Sequence, residues 1–336
     1  MKISMDGGAF CSSKTRRFGN YIFSHNLIKA LQDFDKKNNY FIYSFCNKPQ
    51  WFVEEKNINY KKIGPKFFWS KLAVGLEEIK NKKDIYLALN QSIPFFTKSK
   101  TISFSHGLSF LYLSKLYPDS YSIMKKQLDD MVKKSSELIV SSIKVKQELL
   151  DFYPKAKNIH VINFGVPFDM LEYKKVRKEK YFLFVGMNHP VKNIKFIVDT
   201  FQTFINNKEF MDYKLYLIGD FGEYKKNKKI KVIDDYITRE KLKEYYSGAV
   251  GYLTASLYES FNLPVLESLA CGTRVIGLEP AIIPELKQYA TVCKNTQKFI
   301  DGMKYICSNP VFKKRTEIIN MFSWKKYVDS LVKLYD

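Results

Sequence analysis

Short apolar runs with the character of buried strands alternate with helix-like segments along most of this chain. The first series comprises the runs 85–90, 101–104, 137–141 and 158–162. The second comprises the runs 181–185, 214–218, 231–233, 250–254 and 274–276. Because such alternation covers each strand with helices, it predicts parallel sheets buried on both faces, and hence an α/β fold.

Helical spacing fills the segments between the runs. Segment 144–153 ends before Pro154, which cannot continue a helix, and Thr238 is the predicted N-cap of segment 238–247. A polar stretch at 168–180 separates the two series. We therefore predict two Rossmann-like, doubly wound parallel-sheet domains at 1–167 and 181–320, a linker at 168–180, and a C-terminal helix at 321–336 that packs back on the first domain.

The charge balance is strongly positive, with 55 Lys and Arg against 34 Asp and Glu and a net charge of +21. An aromatic content of 16% excludes a disordered basic tail, which lacks the apolar surface to fold. The excess either serves an anionic partner or reflects biased coding. No apolar run reaches the roughly 18 residues of a membrane span, and the N-terminus lacks a signal-peptide pattern.

The five cysteines are odd in number and form no Cys-x-x-Cys pair: Cys11, Cys46, Cys271, Cys293 and Cys307. This pattern predicts reduced thiols in a cytoplasmic protein rather than a zinc site or a disulfide framework. Cys271 stands in a helix pattern and is predicted to be a small core residue.

Asp33-Phe34-Asp35 matches an Asp-x-Asp metal motif. It ends the first helix before two lysines, however, and we therefore predict that it is a solvated turn.

The most informative stretch, 256–273, follows a predicted strand and opens a helix. Pro264 stands at or near the first helical position, where its missing N–H costs nothing. The helix N-terminus would attract a diphosphate through the amides of Phe261, Asn262 and Leu263. Glu259 precedes these amides and Glu267 lies one turn inside the helix. Two carboxylates beside a phosphate site would repel it unless they bind neutral groups such as sugar hydroxyls.

This stretch, Glu259-x₇-Glu267, resembles the signature of family 4 glycosyltransferases. Those enzymes retain the configuration of the transferred sugar and have the GT-B fold, in which two Rossmann-like domains face a central cleft. Further segments are similar to the family pattern: Gly272-Thr273, Ile283-Pro-Glu-Leu286, Phe322-Ser-Trp324, Phe182-Leu-Phe-Val-Gly186 through Lys192-Asn193, Asp220 with Gly222, Tyr236-Ile237-Thr238, Arg17-Phe-Gly19-Asn-Tyr21 and Phe104-Ser-His106-Gly107.

The resemblance implies a role for each matching residue. Lys192 and the three amides would bind the diphosphate and stabilise it as it leaves, Glu259 would hold the sugar hydroxyls, and Glu267 the ribose. The remaining implied site residues are Ile237 at the base, and Gly19, Arg17 and His106 from the acceptor-side N-terminal domain. The departing phosphate would itself accept the acceptor's proton. The nucleotide sugar is a substrate, so no cofactor and no metal are expected.

Three positions depart from the family pattern. Arg17 replaces the first glycine of its loop, and Met187 stands where the family often has an arginine after the strand glycine. One positive charge is therefore missing from its usual place at the diphosphate, and Arg16 or Arg17 would supply it. Asn163-Phe-Gly-Val166 replaces Pro-Asn-Gly-Val.

The aromatic and basic segment 61–71, Lys-Lys-Ile-Gly-Pro-Lys-Phe-Phe-Trp-Ser-Lys, has two interpretations. Its lysines would approach anionic lipid headgroups while Phe67, Phe68 and Trp69 enter the interface, or a helix would pack these aromatics inward. No nucleic-acid recognition motif is present, so nucleic acid is not an expected partner. The chain is expected in the cytoplasm, at the inner face of the membrane.

The sequence thus predicts a retaining hexosyltransferase. It would move a mannose-, glucose- or galactose-type sugar from a nucleotide-diphosphate donor to a glycan or lipid-linked acceptor hydroxyl in the synthesis of cell-surface polysaccharide or glycoconjugate. Two alternatives stay open. One is a nucleotide-sugar epimerase or a phosphorylase of the same fold, and the other a non-catalytic basic protein that binds membrane or nucleic acid.

Overall fold

A computed structural model of the chain describes residues 1–13, 19–172 and 176–336. The chain divides into two compact units, the first formed by 1–165 with 324–336 and the second by 166–323. The predicted linker 168–180 holds a short 3₁₀ turn, Phe168–Met170, and the start of a strand at Glu179. Arg17 and Arg16, predicted near the diphosphate, lie outside the described residues.

In the described part of the first unit, seven parallel strands form one sheet in the order β3-β2-β1-β4-β5-β6-β7. The strands are β1 Lys2–Asp6, β2 Asn39–Ser44, β3 Ile58–Lys62, β4 Ile85–Ala88, β5 Lys100–Ser105, β6 Glu137–Val140 and β7 Ile159–Val161. The helices are α1 Gly19–Phe34, α2 Val74–Lys80, α3 Ser109–Tyr112, α4 Tyr121–Lys134 and α5 Ile143–Phe152, with α11 Trp324–Val332 from the end of the chain. A π-helical turn, Trp69–Ala73, leads directly into α2.

The second unit contains six parallel strands among its described residues, in the order β10-β9-β8-β11-β12-β13. These are β8 Glu179–Val185, β9 Lys214–Ile218, β10 Ile230–Ile233, β11 Ala249–Thr254, β12 Arg274–Leu278 and β13 Thr291–Cys293. The helices are α6 Ile194–Ile205, α7 Arg239–Gly248, α8 Leu263–Ala270, α9 Thr296–Ser308 and α10 Arg315–Met321.

Burial of the central strands explains why they were visible in the sequence. Every residue of β4 and of β11 is buried, as expected for strands covered by helices on both faces. In both sheets the strand order reverses beside the first strand of the unit, β1 or β8, which is the doubly wound arrangement. The predicted α/β fold with two such sheets is confirmed.

The last helix belongs to the first unit. In α11, Trp324 and Tyr327 are buried, and their rings lie 6.0 and 5.9 Å from that of Phe23 in α1. A Cβ at Gly165 would lie 2.5 Å from the Trp324 ring, so the chain passes this indole too closely for any side chain. The C-terminal residues therefore complete the core of the unit in which the chain begins.

The prediction of five reduced thiols is wrong for one pair. Cys11 and Cys46 form a disulfide, with Cα atoms 5.5 Å apart. Their spacing of 35 residues hid this relation, but β1 and β2 are parallel neighbours and each cysteine follows the carboxyl end of its strand. Cys271 and Cys293 are buried free thiols, and Cys307 is partly buried.

Candidate donor-binding site

The start of α8 is set by Asn262. This residue has a left-handed conformation (φ 69°), which asparagine tolerates better than most residues. Its side-chain nitrogen donates to Ala281 O (3.0 Å) and Thr254 Oγ1 (3.2 Å), which fixes the loop between β11 and α8. The amides of Asn262 and Leu263 have no acceptor within the described residues. They stand at the positive end of the helix dipole, as an anion site requires.

Lys192 lies beside this helix start. It closes the 3₁₀ turn Pro190–Lys192 that follows β8, and this turn is held to the next loop because Leu257 N donates to Val191 O (2.8 Å). Lys192 Nζ donates to Glu259 Oε1 (2.6 Å), which also accepts from Ser256 Oγ (2.7 Å). The side chains of Lys192 and Glu259 are 20% and 11% exposed, so water weakens the pair only partly. The structure brings these two predicted residues into direct contact.

Glu267, predicted to hold the ribose, is buried and engaged through both oxygens. Oε1 accepts from Arg239 Nη2 (2.6 Å) and Oε2 from the Tyr246 hydroxyl (2.9 Å). Arg239 also donates to Asp169 through Nε (2.6 Å) and Nη2 (3.2 Å). Burial alone would lower the pKa of Arg239, but Glu267 and Asp169 raise it above its usual value. The guanidinium is therefore a fixed positive charge between two carboxylates.

Sequence reasoning missed Arg239, Tyr246 and Asp169. The sequence did hold a signal for Arg239 and Tyr246, because they are seven residues apart and residues at that spacing share a helix face. Both residues reach Glu267 from α7. Asp169 was hidden in the segment 168–180, whose polar composition suggested a linker. A carboxylate that pairs with an arginine 70 residues away leaves no local pattern.

The predicted base-side residues lie between β9 and α7. Thr238 caps α7 as predicted, since its Oγ1 accepts from Lys241 N (3.2 Å), and Ile237 is half-buried in the turn before it. Gly219 at the end of β9 has φ 143°, and a Cβ there would lie 2.1 Å from Gly186 O. This position needs glycine because the ends of β8 and β9 approach so closely.

Gly19 and His106 are the predicted first-unit residues that the structure describes, and His106 directly follows β5. Gly19 begins α1, and a Cβ added to it would meet no atom within 4 Å. One turn later Phe23 contacts the His106 ring edge to face (5.2 Å). The His106 Nε2 bonds Leu89 O, and burial lowers the pKa of this histidine although the bond to Leu89 opposes the shift. His106 is therefore neutral at neutral pH.

Cys271 is buried, and burial raises the pKa of its thiol to about 12, with Glu267 adding to the shift. It is a core residue, not an activated nucleophile.

Asp35 does not lie in a solvated turn as predicted, because it is buried and accepts from Asn38 Nδ2 (2.8 Å) and the Tyr40 hydroxyl (2.5 Å). The described ranges contain no group of three or more His, Cys, Asp or Glu side chains able to hold a metal ion.

Comparison with known proteins adds independent information. Residues 179–309 match the family model described as glycosyl transferases group 1. This part of the second unit is therefore similar to group 1 glycosyltransferases. Lys192, Ile237 and the whole Glu259-x₇-Glu267 segment lie inside the matched region, whereas Gly19, Arg17 and His106 lie outside it. The predicted resemblance to glycosyltransferases is confirmed at the level of this family.

Two relatives share low sequence identity with this chain. O-antigen chain mannosyltransferase RfbU of Salmonella typhimurium is 27% identical over 235 residues, covering 65% of this chain and 62% of the relative. O-antigen chain mannosyltransferase B of Escherichia coli is 23% identical over 234 residues, covering 62% and 60%. The chain thus spans about three fifths of the length of these relatives.

Solved structures share the fold of nearly the whole chain. Sucrose-phosphate synthase of Thermosynechococcus elongatus superposes with a TM-score of 0.75 at 16% identity, covering 100% of this chain and 98% of the other. WaaG, a glycosyltransferase involved in lipopolysaccharide biosynthesis, gives 0.68 at 9% identity, covering 98% and 95%. At such identities the likeness establishes the GT-B fold alone. No helix in the described ranges has the length and apolar composition needed to cross a membrane.

Proposed function

We propose that this protein transfers a hexose from a nucleotide-diphosphate sugar to an acceptor hydroxyl, with retention at the anomeric carbon. The observation that carries the proposal is the contact of Lys192 Nζ with Glu259 Oε1 (2.6 Å) beside the start of α8. A cation, two amides with no acceptor among the described residues, and a carboxylate occur together inside the region that matches the glycosyltransferase family. This set suits a diphosphate next to a sugar.

The diphosphate is proposed to bind at the amides of Asn262 and Leu263, with Phe261 preceding them, and at Lys192. Charge builds on the leaving diphosphate as its bond to the sugar breaks. Donors fixed before the reaction stabilise that charge without reorganising. The rigid loop supports such a role, because Asn262 is anchored to Thr254 and Ala281.

Glu259 is proposed to accept hydrogen bonds from sugar hydroxyls, and Glu267 from the ribose. Both carboxylates are already held by donors of the chain, Glu259 by Ser256 and Lys192, and Glu267 by Arg239 and Tyr246. Their orientation is therefore set by the protein before a sugar arrives, which reduces the entropy lost on binding.

The remaining roles follow the family resemblance. Ile237 would contact the base, Gly19 would let the backbone approach the diphosphate, and Arg17 would add a charge. Neutral His106 would stand near the donor sugar. The departing phosphate oxygen would take the acceptor's proton, so the enzyme needs no separate carboxylate base. Because Lys192 and the amides supply the positive charge, we expect turnover to survive EDTA.

The proposed sugar is mannose, and the proposed product is a cell-surface polysaccharide. The transfer itself is proposed to take place in the cytoplasm. The support comes from the two relatives, which are named as O-antigen chain mannosyltransferases. The acceptor would accordingly be a glycan or a lipid-linked glycan.

A panel of nucleotide sugars tests the proposal through slow donor hydrolysis followed by NMR, which also reads the anomeric configuration first released. Lys192→Met and Glu259→Gln should lower turnover by two or more orders of magnitude, since each removes a charged contact at the reacting group. Lys195→Met is the matched control, because Lys195 is 81% exposed and pairs only with Asp199 in the described chain.

Near wild-type turnover in both site variants, with intact thermal unfolding, would disprove the site. Product analysis with and without acceptor separates the alternatives. An epimerase changes the donor sugar without an acceptor, a phosphorylase needs inorganic phosphate, and a non-catalytic protein gives no donor-dependent product.

A further inference from the structure

An apolar stripe runs along the exposed side of the helical segment that ends in α2. Phe68, Leu72, Leu76 and Ile79 follow at spacings of four, four and three residues, so they share one helix face. The amide of Leu72 donates to Phe68 O (2.8 Å), which puts these two residues one turn apart. Phe67 precedes the stripe and is 78% exposed.

Two further aromatic residues lie against the same helix. Phe95 N donates to Lys71 O (3.0 Å), and a Cβ at Gly75 would lie only 2.9 Å from the Phe96 ring. Together these side chains, each between 39% and 78% exposed, form what we call the α2 patch: Phe67, Phe68, Leu72, Leu76, Ile79, Phe95 and Phe96. Contiguous exposed apolar surface of this kind marks an interaction site in a soluble protein.

The opposite face of the same helix buries a carboxyl group. Glu78 is fully buried, and its side chain accepts from the hydroxyls of Ser4 (2.6 Å) and Ser99. Burial raises the pKa of Glu78, although these hydrogen bonds oppose the shift. The helix thus buries Glu78 together with Val74 and leaves Leu76 and Ile79 exposed, whereas the apolar side chains of a surface helix usually face the core. The buried carboxyl group has its partners within the unit, so the exposed apolar face is left for a partner molecule.

Lysines accompany the patch residues in the sequence. Two carboxylates of the same region pair with lysines, Glu77 with Lys61 (2.6 Å) and Asp130 with Lys71 (3.2 Å). Four exposed lysines in or next to the patch segments have no carboxylate within 4.0 Å among the described residues: Lys66, Lys80, Lys82 and Lys98. The segment therefore combines insertable apolar side chains with cations for phosphate groups.

We propose that the α2 patch docks the protein on an anionic lipid bilayer. Phe67 and Phe68 lie at the headgroup level, Leu72, Leu76 and Ile79 enter the acyl boundary, and the lysines contact lipid phosphates. The sequence alone left segment 61–71 open between inward and outward packing. In the structure the segment does both: Trp69 is buried, while Phe67 and Phe68 are exposed. This inference does not depend on the proposed sugar transfer.

Co-sedimentation of the full chain with vesicles tests the proposal. We expect binding to phosphatidylcholine vesicles that contain phosphatidylglycerol, weaker binding at high salt, and little binding to phosphatidylcholine alone. Leu72→Ser/Leu76→Ser/Ile79→Ser should weaken binding by at least about tenfold through lost apolar burial. Lys66→Gln/Lys80→Gln should weaken it by roughly fivefold per charge.

Matched controls come from the second unit. Met211→Ser/Val311→Ser removes exposed apolar groups there, and Lys208→Gln/Lys228→Gln removes exposed charges. Both should bind vesicles like the wild type, and thermal unfolding should show all variants folded. Transfer to a soluble acceptor should be unchanged in the patch variants, which separates this test from that of the proposed function.

Three results would overturn the proposal. They are equal binding by patch variants and wild type, equal binding to anionic and neutral vesicles, and absence of any vesicle binding. Loss of self-association in the patch variants with unchanged vesicle binding would assign the patch to a protein partner instead.

Discussion

At the scale of single residues, Arg239 is the side chain most in need of a test. It donates to Glu267 (2.6 Å) and to Asp169 (2.6 Å), so its loss leaves a buried carboxylate without its cation. A hydrogen bond to a charged group contributes about 1.5–3 kcal/mol. We therefore expect Arg239→Ala to raise the donor KM roughly tenfold to a hundredfold, and Arg239→Lys to recover part of the loss.

A comparison of the donor KM with the melting temperature of the variant shows whether Arg239 positions Glu267 or only stabilises the fold. If Arg239 only stabilises the fold, the variant melts at a lower temperature but the folded enzyme keeps its donor KM. Lys241→Ala on the same helix is the control, because Lys241 is 55% exposed and pairs with Glu244 at the surface. An Arg239→Ala enzyme with wild-type donor KM would contradict the assigned role.

At the scale of elements, Asn262 decides where α8 begins. An alanine there would strain at φ 69° and would lose both side-chain hydrogen bonds, at a cost of about 2–3 kcal/mol in unfolding free energy. Glycine removes the bonds but accepts the backbone angle, so Asn262→Gly should unfold at a higher temperature than Asn262→Ala. Thermal unfolding of the two variants checks this order, and the reverse order would refute the backbone argument.

The same elements show what the sequence could and could not predict. Buried strands such as β9 and β11 were visible as apolar runs, whereas the mixed β1 and the tyrosine-rich β2 were not. The contact of Lys192 with Glu259 depends on a different fact. β8 and β11 are parallel neighbours, so loops 67 residues apart in the chain meet at one sheet edge. Spacing along a sequence carries no information on strand order, and the Cys11–Cys46 disulfide stayed hidden for the same reason.

At the scale of the whole molecule, the first unit depends on residues from both ends of the chain. The buried Tyr327 packs near the rings of Trp324 (5.2 Å) and Phe23 (5.9 Å), and its hydroxyl has no partner among the described residues. Tyr327→Ala removes a core aromatic and should cost the first unit about 3–5 kcal/mol. Tyr327→Phe only removes an unpaired hydroxyl, so it should leave stability unchanged or raise it.

Tryptophan fluorescence can follow the first unit alone. The three tryptophans of the chain, Trp51, Trp69 and Trp324, all belong to it, while circular dichroism reports both units. Denaturant titration of Tyr327→Ala should shift the fluorescence midpoint, and Tyr327→Phe should not lower it. If α11 instead stabilised the second unit, the fluorescence midpoint would stay in place while part of the dichroism signal moved. Because residues 324–336 belong to the first unit and Trp324 packs on Phe23 of α1, we expect their contribution to appear in the fluorescence transition.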